Sequence, residues 1–372
     1  MKKKSFYILA LAALAVSCTN DELTTNETNA VVGFHALTSG VTTRAVNETN
    51  SVNLKDSPFD VYAFTETDGK LFIGKSLSES DYELSQGVEI RHNGSAWDYA
   101  NPADKAYWPT DKKLNFFAFH PQPDPSGGYS VEVFSASKQV VRYSVPTNAK
   151  FQKDLMYAIS RGVDKNTNAG KVKILFKHAL SQACFKAKTE MESMSVDVED
   201  IQIHNIAVDG DLTLPQIGTD ISMKDWNTQE KKHIAFEPKN LETPVMEIGT
   251  EAKELTGKMY LPQELTKWTP ENPETKTIDQ ANKEKQSYLS VLCKIKQNGV
   301  YLWGSEEKAW RLFVPFGVKW EPGKRYVYTL IFGGGYKDDG TQVLDQIKWE
   351  VEEMPWQDAP YDVNAVTNVN VN

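Results

Sequence analysis

Apolar side chains recur at every second position in short runs along this chain, and turn residues separate the runs at intervals of about ten residues. In residues 171–177, for example, Val172, Ile174 and Phe176 alternate with lysines. No long run has the i, i+3, i+4, i+7 spacing of an amphipathic helix. The pattern excludes an all-helical fold and predicts an all-β protein made of β-sandwiches. The predicted strands lie in residues 59–64, 71–73, 114–119, 131–145, 172–176, 201–208, 212–214, 288–296, 310–316, 326–332 and 346–351.

Two series of such strands follow each other, which predicts two sandwich domains in tandem, over residues 45–190 and 191–360. The boundary is placed where the composition changes. Residues 189–199 are acidic and rich in methionine, and we expect a linker or a solvent-facing edge there. Residues 222–284 hold many charged residues and several prolines, which predicts long loops.

The N-terminus has the three parts of an export signal. Lysines 2–4 form a basic region, residues 6–16 form an apolar core too short to span a bilayer, and a small-residue cleavage site ends in Cys18. This arrangement resembles a bacterial lipoprotein signal, which implies that residues 1–17 are removed and that lipid on Cys18 anchors the protein in the outer membrane. An ordinary secretory signal is the alternative.

Residues 18–44 are rich in Thr, Asn and Glu, as in a solvated tether, but they contain one strand-like run. Its apolar face consists of Ala30, Val32, Phe34 and Ala36. Arg44 is the only lysine or arginine between Cys18 and Lys55, so the bond between Arg44 and Ala45 is well placed for a trypsin-like protease. An ordinary surface arginine is the alternative interpretation.

The last twelve residues, 361–372, also alternate with a period of two. Fully extended, they span roughly 40 Å and carry almost no charge. An amphipathic strand at a chain end favours donation to another molecule, and the alternative is a last strand packed in its own domain. The residues predicted to face a partner are Tyr361, Val363, Ala365, Thr367, Val369 and Val371.

Several functional classes find no support in the sequence. The net charge of −9 argues against nucleic acid as a partner. The six histidines have no metal-site spacing, and no nucleophile elbow or phosphate-binding loop is present, so we predict no metal, cofactor or catalytic residue. Residues 164–175 begin like a calcium loop but lack its glycine and glutamate, which predicts a hairpin turn. Cys184 and Cys293 are expected to be buried free thiols, with a single bridge between them as the minor alternative.

The nine tryptophans support a rival function, a monomeric surface lipoprotein whose exposed rings stack on carbohydrate. A secreted glycosidase is a weaker third possibility, because no acid/base pair is recognisable. The tryptophans near loop signals, and therefore the candidates for sugar binding, are Trp97, Trp226, Trp268 and Trp303. For each of them, packing inside the protein is the favoured alternative. Those in strand patterns, expected in the core, are Trp108, Trp310, Trp320 and Trp349.

A set of motifs follows the signal and the first strand, in order along nearly the whole chain. They are Thr-Thr-Arg-Ala (42–45), Asp-Val-Tyr-Ala-Phe (60–64), Tyr-Trp-Pro (107–109), Phe-Phe-Ala-Phe-His-Pro (116–121), Asp-Leu-Met-Tyr-Ala (154–158), Phe-Lys-His-Ala-Leu (176–180), Gly-Asp-Leu-Thr-Leu (210–214) and Trp-x-Pro-Gly-Lys-Arg-Tyr (320–326). Together, these motifs resemble those of the fimbrillin-like proteins that form type V pili of Gram-negative anaerobes.

The resemblance implies two transthyretin-like β-sandwich domains and a non-enzymatic role in adhesive fimbriae on the cell surface. It also implies that an arginine-specific protease removes the first strand by cutting after Arg44. A strand from a neighbouring pilus subunit then fills the vacated groove, and residues 361–372 are the donor strand expected in this chain.

Overall fold

The computed structural model describes residues 30–38, 49, 53–76, 85–125, 128–146, 151–228, 231–232, 244–336, 339–344 and 347–356. Within them the chain forms twenty-seven strands and one short α-helix, so the all-β prediction is confirmed. The strands of the first part are β1 (Gly33–Thr38), β2 (Phe59–Thr65), β3 (Leu71–Ile73), β4 (Lys75–Ser76), β5 (Ser85–Gln86), β6 (Val88–His92), β7 (Trp97–Tyr99), β8 (Leu114–His120), β9 (Tyr129–Phe134), β10 (Gln139–Ser144), β11 (Met156–Val163) and β12 (Lys171–His178).

The second part continues from β12 after two residues. Its elements are β13 (Ser181–Thr189), β14 (Met194–His204), β15 (Ile206–Ala207), β16 (Asp209–Thr213), β17 (Trp226–Thr228), β18 (Lys231–Lys232), β19 (Val245–Ile248), β20 (Lys253–Tyr260), α1 (Ile278–Lys283), β21 (Tyr288–Gln297), β22 (Val300–Trp303), β23 (Trp310–Pro315), β24 (Lys324–Phe332), β25 (Gly334–Tyr336), β26 (Gln342–Leu344) and β27 (Lys348–Pro355). Short 3₁₀ turns span Leu54–Asp56, Pro102–Asp104, Thr167–Gly170 and Met223–Asp225.

The first sheet closes on itself. Its strand order is β3-β2-β6-β7-β1-β12-β11-β8, and β2 also pairs with β8. Seven strands therefore form a closed ring, with β3 attached outside it. The interior of this ring is filled by alternate side chains of its strands, among them Phe59, Phe116, Val172 and Phe176.

Strands β2 and β8 are buried on both faces, because a second sheet packs outside the ring. Tyr62 and Phe117 point away from the ring interior and share a core with Phe134 and Tyr143 of the outer sheet. That sheet has the order β17-β16-β10-β9, so it joins strands from both sides of residue 190. The predicted domain boundary between 190 and 191 is not decided by this pairing and stays a prediction.

The second part contributes two further sheets, of four and seven strands, with one shared core. Their strand orders are β20-β13-β24-β27 and β19-β14-β21-β23-β25-β26, with β22 paired to β21. Phe185, Val198, Val291 and Tyr328 are among the buried side chains that fill the space between them. In β13, for example, the buried residues Ala183, Phe185 and Ala187 alternate with partly exposed ones, as the two-residue period of the sequence predicts.

Two local expectations are corrected by the structure. Residues 194–199 belong to β14, which lies between β19 and β21, so this segment is a buried inner strand and neither a linker nor an edge. The charged stretch 222–284 contains β17, β19, β20 and α1 in addition to loops. The helix starts at a capping box in which Thr277 and Gln280 satisfy each other's backbone N–H groups, and local hydrogen bonding of this kind outweighs the polar composition.

No helix among the described residues combines the length and the hydropathy needed to cross a bilayer.

Phe134 holds the outer sheet on the ring, which makes it a test of the core. It is fully buried, and its ring stacks on Tyr62 at 3.9 Å and contacts Phe117 and Phe119. Phe134→Ala should lower the free energy of unfolding by about 3–5 kcal/mol, measured by denaturant titration. Phe151→Ala is the matched control, because Phe151 is 69% exposed, and an equal loss in both variants would contradict this packing.

Candidate functional site: the slot of the first strand

Strand β1 lies between β12 and β7 and completes the ring. It runs parallel to β12 over six residue pairs, from Gly33 opposite Lys171 to Thr38 opposite Phe176. On its other side it pairs with β7 at one position, Phe34 opposite Trp97. We call the space that β1 occupies between β12 and β7 the slot.

One face of β1 points into the core of the ring. Val32, Phe34 and Ala36 are 0%, 4% and 8% exposed, whereas Val31 and Leu37 on the other face are 40% and 38% exposed. The period of two predicted for this segment is therefore confirmed for Val32, Phe34 and Ala36, but not for Ala30, which is exposed. Burial of side chains such as Val32 and Phe34 contributes about 1.5–3 kcal/mol each.

The Phe34 ring occupies the centre of the slot in an aromatic pocket. Its centroid lies 5.5 Å from that of Tyr99, 6.5 Å from that of Phe59 and 6.5 Å from that of Phe116. All three contacts are edge-to-face, a geometry that favours a planar ring at this position over an aliphatic chain of equal area. The slot therefore accepts a side chain of defined shape at its centre.

The loop before the Tyr-Trp-Pro motif forms the rim of the slot. Val32 donates its backbone N–H to Ala106 O, and Trp108 donates its own to Ala30 O, both at 2.9 Å. The Tyr99 hydroxyl donates to Val32 O at 3.1 Å. Burial raises the pKa of Tyr99, so this hydroxyl keeps its proton and remains a donor. Trp108 also donates its indole N–H to Gly170 O at 3.0 Å, which fixes the rim to the start of β12.

A buried polar cluster lies beyond the end of the slot, where the chain returns to the ring after β1. His178 Nδ1 is 3.0 Å from Asp154 Oδ1, and the second oxygen of Asp154 accepts the backbone N–H of Thr49 at 2.9 Å. His120 Nε2 is 2.7 Å from Ser57 Oγ. These bonds attach the segment that follows Arg44 to the ring independently of β1.

The structure describes only part of the sequence-predicted site. Of the strand-like run predicted at residues 30–36, Val32, Phe34 and Ala36 are buried in the ring, whereas Ala30 is exposed and precedes β1. Cys18, the Arg44–Ala45 bond and the predicted donor residues Tyr361, Val363, Ala365, Val369 and Val371 lie outside the described residues and stay predictions. Sequence reasoning missed the rim residues Tyr99 and Ala106; the signals near them were Trp97 and the Tyr-Trp-Pro motif at 107–109.

Most loop tryptophans that supported carbohydrate binding are used inside the protein. Trp226, Trp268 and Trp303 are 6%, 0% and 7% exposed. Each donates its indole N–H to a backbone carbonyl, those of Ala179, Thr275 and Trp310, respectively. Rings in these positions cannot stack on a sugar, which removes the main support for the carbohydrate-binding alternative.

Among the other tryptophans named in the sequence analysis, one prediction of a core position is wrong. Trp97 is partly buried and packs on Phe59 at 5.0 Å. Trp108 and Trp320 lie in the core as predicted, and Trp349 packs against it. The expectation for Trp310 is wrong: its ring is 45% exposed and meets Trp303 edge-on at 5.3 Å. Trp310 lies on the outward face of β23 because the register of the strand decides which face each side chain occupies. The local sequence pattern did not determine that register.

Other predicted features have simple roles. The segment after Asp164 is a hairpin turn between β11 and β12, as predicted, and the Asp164 carboxylate accepts the backbone N–H of Asn166 at 2.9 Å. Neither Cys184 nor Cys293 forms a disulfide, as expected, but only Cys293 is fully buried. Across the described ranges, no group of three or more His, Cys, Asp or Glu side chains is placed to hold a metal ion.

Phe34→Ala tests how strongly β1 is held. Removing the ring from the aromatic pocket should lower the free energy of unfolding by about 3–5 kcal/mol. It should also raise the rate of hydrogen exchange at the backbone amides of β1. Leu37→Ala on the exposed face is the matched control. Equal exchange rates in the two variants would mean that the inward face does not hold the strand.

His120 predicts a pH dependence of stability. Its burial lowers its pKa to about 4, against an ordinary value of 6.5, while the Asp154 charge opposes this shift. The unfolded chain therefore takes up a proton near pH 6.5 that the folded protein refuses, so stability is complete above pH 6.5 and falls by up to about 3 kcal/mol as the pH decreases to 4. Denaturant titrations of His120→Gln should show a shallower decrease, and those of the exposed His35→Gln should match the wild type. An unchanged slope in His120→Gln would contradict this assignment.

Comparison with known proteins agrees with the family expected from the motifs. The model of the fimbrillin-like family matches residues 43–356. A fimbrial protein from Bacteroides vulgatus is similar in structure, with a TM-score of 0.59 at 13% identity, covering 88% of this chain and 100% of that one. The tip fimbrial protein Mfa3 from Porphyromonas gingivalis aligns with a TM-score of 0.36 at 9% identity, over 85% of this chain and 98% of its own. A search of curated proteins finds no match. Because the family model matches most of the chain, this protein belongs to the fimbrillin-like family.

Proposed function

We propose that this protein is a subunit of a cell-surface type V pilus that polymerises by donor-strand exchange. The observation that carries the proposal is the position of β1: it fills a slot in the ring, and it precedes Arg44 in sequence. A single cut between Arg44 and Ala45 would separate this strand from the rest of the chain. The fimbrillin-like family supports the assignment to a pilus.

Cleavage changes how β1 is held. In the intact chain its effective concentration at the slot is set by the covalent connection to residue 49 and beyond, whereas a severed fragment can leave and be diluted. Once it leaves, the pocket of Phe59, Tyr99 and Phe116 and the β1-facing edge of β12 face water. An apolar groove beside an unpaired strand edge favours binding of another strand.

Residues 361–372 are the proposed donor. Their alternation places Tyr361, Val363, Ala365, Val369 and Val371 on one face, which suits a groove that binds every second side chain. Donation from each subunit to the next would give a polymer held by main-chain hydrogen bonds and apolar burial. In this proposal the subunit consists of two transthyretin-like sandwich domains, at residues 45–190 and 191–360, and its partners are other pilus subunits.

Export as a lipoprotein completes the proposal. Lipid on Cys18 would hold the precursor at the outer membrane, and a single acyl chain is too weak for this, so several chains are required. The cut after Arg44 lies between the anchor and the folded ring. The same cleavage would therefore release the subunit from the membrane and open the slot, which couples release to assembly and supports a role in adhesive surface fimbriae.

Arg44→Ala tests this function. The variant should be exported and folded but remain an anchored monomer, because β1 keeps its covalent connection. Size-exclusion chromatography with light scattering and N-terminal sequencing of the wild type give the readouts. Arg44→Lys should behave in the same way if the protease is specific for arginine. Arg91→Ala, which removes an exposed arginine in β6, should assemble like the wild type. Assembly of Arg44→Ala, or a mature N-terminus elsewhere, would refute the role of this bond.

A further inference from the structure

The C-terminal tail begins beside the end of the slot. Trp356, the last described residue, donates its backbone N–H to Gly323 O at 2.8 Å, and Gly323 donates to Leu180 O at 2.8 Å. The Trp356 indole stacks on the His178 ring with centroids 4.2 Å apart and an interplanar angle of 3°. His178 is the last residue of β12, the strand that forms one wall of the slot.

The strand directions bring the end of β27 back to the ring. Strand β13 leads away from the end of β12 and runs parallel to β24. Strand β27 is antiparallel to β24, so it returns toward the end of β12. Thr38, the last residue of β1, lies opposite Phe176, two residues before His178, or roughly 7 Å along the strand. Chain that continues beyond Trp356 can therefore enter the slot from this end, antiparallel to β12.

In that direction the tail sequence fits the slot. An antiparallel register that places Tyr361 opposite Val172, where Phe34 now pairs, also places Trp356 opposite Lys177, adjacent to the His178 that it contacts. The same register puts Ala359 in the position of Ala36 and Val363 in the position of Val32. Each inward position of β1 would then receive the same or a similar residue: alanine for alanine, tyrosine for phenylalanine and valine for valine. The tail runs in the opposite direction, so it supplies them in the reverse order.

The opposite direction fits less well. A tail running parallel to β12, as β1 does, and keeping Tyr361 in the aromatic pocket would put Ala359 in the place of Val32 and Val363 in the place of Ala36. It would also have to pass the whole length of the slot before entering. Antiparallel ladders are slightly more stable per residue than parallel ones. Pro360 would take the outward position of His35, and β7 pairs with β1 only at Phe34, so its missing N–H can face an unpaired side.

We infer that, once β1 is removed, the tail fills the slot of its own chain and closes the mature subunit as a monomer. This inference rests on the proposed function, because it requires the loss of β1. Polymerisation is then a strand swap, in which the tail leaves its own slot for that of a neighbour. A tail attached this close has an effective concentration of about a millimolar, so the closed monomer is favoured in dilute solution. In the closed monomer the tail covers the apolar pocket, which is therefore not exposed to water between cleavage and assembly.

The test uses dilute protein cut after Arg44, with the site of a second sequence-specific protease placed there if the arginine is not cut. Hydrogen exchange by mass spectrometry should show protected amides in residues 361–365 of the monomer. Val363→Asp should abolish this protection and lower the melting temperature by roughly 10 °C, because a charge enters the ring core. Asn364→Asp, which adds the same charge on the outward face, should retain both.

Three results would overturn the inference: free exchange in residues 361–365 of the dilute monomer, equal melting temperatures for Val363→Asp and Asn364→Asp, or a severed β1 that stays in the slot. Polymerisation is scored separately, by light scattering at high concentration. A protected tail in a monomer that never polymerises supports the closed subunit and refutes the pilus proposal. If the dilute monomer has an unprotected tail but polymers still form at high concentration, the closed subunit is refuted and the pilus proposal is supported.

Discussion

The pairing of β1 with β12 is the interaction on which the ring depends. Six residues supply one wall of a closed sheet and place Phe34 at the centre of an aromatic pocket. The rest of the ring is continuous in sequence from β2 onward, and Asp154 holds the returning chain at Thr49. This division makes one strand removable without loss of the connections among the other strands.

The local sequence pattern predicted which segments form strands, but it did not predict which strands pair with each other. The alternation in residues 30–37 was readable because one face of β1 is buried and the other is not. Its parallel pairing with β12 joins residues far apart in sequence, and no local signal encodes such a register. Sequence favoured packing for Trp226, Trp268 and Trp303 but left sugar binding open for the same reason: each N–H donates to a carbonyl that only the folded chain brings near.

Three segments of the described chain come together near the end of β12. The end of β1, the return of the chain at Thr49 and the last described residue, Trp356, all lie around His178 and Asp154. A cut in one segment and a strand exchange in another can therefore act on the same slot. The sequence contains a signal for each of these proposed events, an isolated arginine and an amphipathic tail, but their spatial relation depends on the course of β27 back to the ring.

The most direct measurement is the mass of the subunits in the assembled protein, together with any fragment bound to them, by native mass spectrometry. Removal of the first strand predicts subunits that begin at Ala45 and carry no fragment containing residues 33–38. Assembled subunits that all retain these residues, cut or uncut, would contradict the exchange of β1 for another strand.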